Sequence, residues 1–156
     1  MSITIEESGS LSALIQQVGA RAVRGVYAQM KVEAEKVAQK AREFAPVDEG
    51  NLEQAIKVRE AGGGRNELGQ FERKSVEVYV DAQMPVPERP GKTVGDYAYE
   101  MHEHLTPAGP LQLGPKSEAK NAGSGQVGGK YMERAADAVA AEILNSLTDA
   151  AIKAVG

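Results

Sequence analysis

The chain is predicted to adopt an α+β fold: a long N-terminal helix and a C-terminal helix packed on a small antiparallel β-sheet, with a long loop before the last helix. Three observations predict it. Apolar or small residues recur every three or four positions over residues 11–44 and again over 130–154, which is the spacing of one helix face. Between them Val76, Val78 and Val80 alternate with Glu77, Tyr79 and Asp81, the period-2 pattern of a half-buried strand. The 156 residues form a single domain (1–156), long enough to bury a core, and helices layered over a small sheet are a stable way to do so.

The first helix is read over 11–44, with Ser10 or Ser12 able to cap its start. Ala45-Pro46 ends it, because the residue before a proline is pushed out of helical geometry. Gly19 and Gly25 each weaken it by about 1 kcal/mol relative to alanine. Two outcomes stay open. An unbroken helix of about 50 Å exceeds the roughly 30 Å expected of a domain this size, so one end projects beyond its own core and needs a partner. Otherwise the helix breaks at Gly25 and folds back. Residues 1–10 are expected to be a flexible N-terminus.

Asp48-Glu49-Gly50-Asn51-Leu52 reads as a turn. Asp48 can bond backbone amides two residues on, Gly50 can take positive φ, and Leu52 plugs the core where the chain reverses. Pro46, Asp48, Gly50 and Leu52 are therefore the structural-turn residues. Residues 52–59 lead into a strand with Ile56 and Val58 on one face. Residues 60–70, with Gly62-Gly63-Gly64 and Gly69, make a hairpin tip, and 74–82 form the antiparallel partner strand. Pro85, Pro87 and Pro90 interrupt regular structure, and 96–104 form a short element, either a helical turn or a strand end.

Residues 105–129 hold three prolines and six glycines and are predicted to be an extended loop. A loop of that length in a small domain is functional or orders against a partner. Met132, Ala136, Val139, Ile143, Leu147 and Ala151 form the stripe of the last helix, widened by Ala140, Leu144 and Ile152.

Composition narrows the function classes. Apolar residues make up 42 %, much of it alanine, with two phenylalanines and no tryptophan. Such a core buries less area per residue than an aromatic one, so a subunit interface is expected to supplement stability. The net charge of −4 argues against a general nucleic-acid binder, whose affinity rests on neutralised phosphates. Residues 21–43 carry six basic side chains against three acidic ones, and a small DNA-binding protein using that helix face is a less favoured alternative. The absence of cysteine excludes disulfides, thiolate catalysis and Cys-ligated zinc. The N-terminus has neither the basic start nor the apolar run of a signal peptide. No stretch approaches the roughly 20 apolar residues that span a bilayer, so no membrane partner is expected.

The chemical signals do not assemble into an active site. His102-Glu103-His104 has two His at i and i+2, whereas the helical zinc motif needs them four apart. Gly123-Ser124-Gly125-Gln126-Val127-Gly128 matches G-x-G-x-x-G but lacks the preceding strand and βαβ unit of a dinucleotide site, and it is expected to act as a flexible hinge. Ser75, Ser117 and Ser124 lack a nucleophile elbow, and Asp48 and Glu49 sit in a turn. No catalytic, cofactor-binding or metal residue is assigned, no cofactor is expected, and the chain is not expected to be an enzyme. A metal-dependent hydrolase around His102 and His104 is the enzymatic alternative.

Three motifs follow one another in a specific order. A helix ends in Ala45-Pro46-Val47-Asp48-Glu49-Gly50-Asn51-Leu52. A hairpin leads to Tyr97-Ala98-Tyr99-Glu100-Met101-His102-Glu103. After Gly114-Pro115-Lys116, Lys130-Tyr131-Met132-Glu133-Arg134-Ala135 opens the last helix. In this order and spacing, over about residues 30–150, the chain resembles the head–tail connector, neck and tail-completion proteins of tailed bacteriophages. It departs from that pattern at Glu49, where threonine is usual, and at Glu100-Met101, where a longer apolar run is usual; residues 1–29 carry no match.

The resemblance implies a non-enzymatic virion structural protein of the neck, made in the host bacterial cytoplasm. It would join the portal or adaptor complex to the tail within a homo-oligomeric ring through which genomic DNA passes without specificity. Partners would be further copies, the portal or adaptor, and the tail tube or tail terminator protein. A tail terminator or minor tail protein is the alternative. Tyr97, Tyr99, His102, Glu103, Pro115, Lys116 and Tyr131 are the candidate interface residues. The first half of the first helix, loop 105–129 and the hairpin tip at Arg65 are further contact regions. The mild acidity would let DNA slide through such a ring.

Overall fold

The computed structural model describes residues 9–47, 49–63, 74–105 and 111–156, with side chains from residue 16 onward. Helix α1 (Gly9–Phe44) runs for 36 residues without a break, about 54 Å. Gly25 does not interrupt it because the glycine serves packing. A Cβ there would lie 2.7 Å from the Ala154 Cβ and 3.4 Å from the Ala150 carbonyl oxygen of the last helix. The missing side chain lets two helices approach closely, and that contact offsets the lost propensity.

Past Pro46 the chain turns. Gly50 takes φ 81°, the left-handed conformation open to glycine, and starts a short helix α2 (Asn51–Ala55) where a plain turn is expected from the sequence. Leu52 is buried beneath it. Asp48 lies outside the described residues. Strands β1 (Ile56–Ala61) and β2 (Ser75–Val80) pair antiparallel, with Ile56 opposite Val80 and Ala61 opposite Ser75. The tip carrying Arg65 lies outside the described residues.

The faces of β2 divide less cleanly than its alternation predicts, since every residue in it is half-buried. Val58, Val78 and Val80 pack against the core. On the other face Lys57 meets Asp81 at 2.6 Å, Arg59 meets Glu77 at 2.8 Å, and the Arg59 guanidinium stacks over Tyr79. Long paired side chains shelter the polar face of a two-stranded sheet.

The element after the proline-rich turn is helix α3 (Gly95–Glu103). Asp96 reaches back to accept the Thr93 amide at 2.7 Å, as in a capping box. The expected extended loop over 105–129 is corrected at its centre, where α4 (Pro115–Ser124) is helical. Proline at its first position and Gly125 in the left-handed conformation just past its end are the start and stop that helices favour. Helix α5 (Tyr131–Val155) closes the chain.

Helix α5 runs antiparallel along α1 rather than directly over the sheet, with Lys36 paired to Glu142 at 2.6 Å and Gly25 against Ala154. Its first turns, through Tyr131 and Ala135, enter the core. The core is built on Ala38 and Ala41 of α1 and on Ala45 just past its end, filled by Phe44, Leu52, Ile56 and Val94. Two consequences follow from the register. Helix α5 ends about level with Val23, so residues 9–22 extend about 20 Å beyond it. The expected widening of the α5 stripe is also corrected: Ala140 is exposed, and Leu144 and Ile152 are 67 % and 63 % exposed. Among the described residues no helix is long and apolar enough to cross a membrane.

Candidate functional site

The turn after α1, the loop 86–89, α3 and the start of α4 enclose a cleft of about 680 Å³. It brings together Pro46, Leu52, Tyr97, Pro115 and Lys116, which lie far apart in sequence. Its floor is apolar, formed by Leu52, Val86, Met101 and Leu105, and its rim is charged. Lys116 Nζ donates to Glu49 Oε1 at 2.7 Å, and Asn51 Nδ2 donates to Glu88 Oε2 at 2.9 Å. The Asn51 amide holds the Glu88 carboxyl below the usual range, since a hydrogen bond to the charged form favours it.

The cleft owes its shape to α4. Ser117 is buried; its hydroxyl accepts the Val47 amide at 2.8 Å and donates to the Val47 carbonyl at 2.7 Å. Lys120 Nζ donates to the Arg42 carbonyl at 2.5 Å, to the Ala45 carbonyl at 2.8 Å and to Glu53 Oε1. A cation on the terminal carbonyls of α1 satisfies groups that no helix can satisfy alone and complements the helix dipole. Neither Ser117 nor Lys120 stands out in the sequence as a packing residue. The signal that could have found them is the Pro115/Gly125 bracket of α4.

The chain matches no protein-family model, no curated protein and no solved structure.

His102, Glu103 and Tyr131 gather elsewhere, at the joint between α3 and α5. The His102 and Tyr131 rings meet edge to face at 4.9 Å. Glu103 faces His102 Nδ1 at 2.9 Å and accepts Lys130 Nζ at 2.5 Å. The hydrogen bonds from Lys130 and then His102 hold the Glu103 carboxyl below its ordinary value. Lys130 adopts φ 55°, an unusual backbone for a lysine. It is held there by its amide bond to the His102 carbonyl at 2.7 Å and by the Glu103 pair.

Tyr131 is 1 % exposed, which removes it from the interface expected of it and makes it a core residue. Burial pushes its hydroxyl up to about 12. Tyr99 is the opposite case, 67 % exposed, with the His104 ring edge-on at 6.2 Å. The G-x-G-x-x-G string, expected to be a hinge, is in part helical. Gly123 and Ser124 lie in α4, Gly125 ends it, and the Gly128 amide bonds the Phe44 carbonyl at 3.0 Å. Gly129 packs so closely on the Leu105 carbonyl that a Cβ would overlap it.

A third cluster went unread in the sequence. Glu33, only 2 % exposed, sits in the seam between α1 and α5, where its Oε1 accepts Gln29 at 2.7 Å and Lys36 at 3.1 Å. Lys36 then bridges to Glu142. Burial pushes the Glu33 carboxyl up, but the donors outweigh it and hold it below the usual range. Nothing in the helical stripe marks this position, because glutamate at a seam reads as a solvated face.

Proposed function

We propose that this chain is a structural subunit of a tailed-phage neck, joining the portal or adaptor complex to the tail within an oligomeric ring. The observation that carries the reading is the first 14 residues of α1, which run past the end of α5 while the apolar spacing of Leu11, Leu14, Val18 and Ala22 continues in the sequence. A helix segment of that kind is completed by another protein, since its apolar face gains nothing in water. The ordered motifs from Ala45 to Ala135 support the choice of particle. The exposed α5 face at Leu144 and Ile152 supports a subunit with more than one neighbour. The net charge of −4 suits a conduit that DNA traverses without sticking.

Deleting the gene from the phage that carries it tests the role. Heads full of DNA without tails, beside free tails, are the expected outcome. Tails of irregular length would transfer the chain to the tail-terminator role, and normal tailed particles would remove it from the neck altogether.

A further inference from the structure

We propose that strand β2 pairs edge to edge with β2 of a second copy of this chain, antiparallel about a two-fold axis at Val78, so that the two sheets join as one. The Asp81 amide donates to the Ala55 carbonyl at 2.8 Å, and Ala55 stands opposite Asp81 where the β1–β2 register is continued. Hydrogen-bonded pairs recur at every second residue of an antiparallel ladder. Lys57, Arg59 and Ala61 therefore bond inward to Tyr79, Glu77 and Ser75. The amides and carbonyls of Val76, Val78 and Val80 point outward along the other edge. Those groups have no hydrogen-bond partner among the described residues.

The two edges of the sheet differ. On β1 the outward Ile56 carbonyl is already taken, since Arg42 donates to it from Nε at 3.1 Å and from Nη2 at 2.6 Å. Lys57 and Arg59 on β1 are the kind of cations that blunt an edge. On β2 the inner edge meets β1 and the valine face meets α1, and the outer edge is left over. Its six residues, Ser75–Val80, include no lysine, arginine or proline, and no bulge interrupts their register. An edge lacking these devices templates a further strand.

A second copy supplies a strand that matches on both faces. With the axis at Val78, Val76 lies opposite the partner's Val80 and Val78 opposite the partner's Val78, a row of β-branched pairs that sheets favour. On the other face Glu77 lies opposite the partner's Tyr79. Each carboxylate thus approaches a Tyr79 ring that carries the Arg59 guanidinium at 4.6 Å. Moving the axis by one residue sets Glu77 against the partner's Glu77 or against its Asp81, like charges that oppose pairing. Pairing β1 with β1 sets Lys57 and Arg59 against their own copies, and pairing β1 with β2 displaces Arg42 from the Ile56 carbonyl. One free edge per chain makes the contact isologous, so it closes as a dimer. The inference goes beyond the ring reading and does not rest on it.

Sedimentation equilibrium of the full chain is expected to give twice its 16.5 kDa. Val76→Pro removes an outward amide and none of the bonds to β1, so it should abolish the dimer while circular dichroism is unchanged. Tyr79→Glu stands opposite Lys57 in its own sheet but opposite the partner's Glu77 across the axis, and it should weaken the dimer about tenfold at low salt. The chain has no cysteine, so introduced thiols report the register. Glu77 and the partner's Tyr79 form a pair with Cα atoms about 4.5 Å apart, within disulfide reach. Two copies of Glu77 lie diagonally about 7–8 Å apart, beyond it. Glu77→Cys mixed with Tyr79→Cys is therefore expected to oxidise to a heterodimer about tenfold faster than either variant alone forms a homodimer.

A chain that stays monomeric at every concentration overturns the pairing. So does a dimer that Val76→Pro and Tyr79→Glu both leave intact. Glu77→Cys coupling as fast to Arg59→Cys of another copy as to Tyr79→Cys overturns it in favour of β1 on β2. Failure of the neck reading has a different signature, because a gene deletion that leaves normal virions would alter neither the mass nor these disulfides.

Discussion

At the scale of single residues, burial decides roles that residue type alone does not. Glu33 and Lys36 make one pair, yet their losses are not equivalent. Glu33→Met removes a buried carboxylate and leaves Lys36 with Glu142, so stability is expected to stay within about 1 kcal/mol. Lys36→Met leaves the carboxylate buried with only the neutral donors Gln29 and Ser146 among the described residues, and it is expected to be the clearly more destabilising of the two. Urea titrations of both variants measure the difference; equal losses would mean that the seam treats the pair as a surface bridge.

Tyr131 makes a pH prediction of definite sign. Its folded-state value is raised from 10.0 to about 12, so its contribution is intact below pH 10 and is lost as pH rises through about 12. Alkaline unfolding is expected in that window, with one of the five tyrosines ionising only as the fold opens. Tyr131→Phe should move the transition to higher pH, read by tyrosinate absorbance and circular dichroism together.

At the scale of elements, two glycines of one helix have opposite meanings. Gly19 has nothing within 4 Å of an added Cβ, whereas Gly25 has the Ala154 Cβ at 2.7 Å. Gly19→Ala is expected to stabilise by up to about 1 kcal/mol through propensity alone. Gly25→Ala gains the same propensity but forces the helices apart, and a net loss of about 1–3 kcal/mol is expected. Thermal melts of the two variants should move in opposite directions.

Helix α4 likewise acts through its anchors. Lys120→Met strips the cation from the Arg42 and Ala45 carbonyls and is expected to cost roughly 1–3 kcal/mol. Amide exchange should then rise in α4 and at the end of α1 while the strands keep their protection. Both helix stripes and the strand pair could be read in advance because a periodic apolar face extends over many residues. The α4 helix could not, because it is too short and polar to show a stripe, and what stabilises it is Ser117 on Val47 and Lys120 on α1, partners about 70 positions away.

At the scale of the molecule, carboxylates with depressed values are spread over every layer. Lys31 then Tyr27 depress Glu60, Lys57 depresses Asp81, the Thr93 amide depresses Asp96 and Lys130 depresses Glu103. For each, the folded state binds the proton less readily than the unfolded chain. The stability they add is therefore present above their ordinary values of 4.5 and 3.8 and lost as pH falls through the lower folded ones. The melting temperature is expected to be flat down to about pH 5 and to fall steeply below about pH 4. Because Glu60 and Asp96 are exposed and Asp81 and Glu103 only half-buried, high salt should shrink the effect, and a melting temperature independent of pH in that range would mean that the pairs do not persist in solution.

Local periodicity and local backbone chemistry suffice for the α+β class, both long helices, the strand pairing and the turn at Gly50. Tertiary structure alone decided that α1 passes unbroken through Gly25, that Tyr131 is core, and that Leu144 and Ile152 face outward. Those outcomes depend on which surface a distant segment covers. Apolar spacing marks which side chains share a face, and only the packed chain shows whether that face has a neighbour.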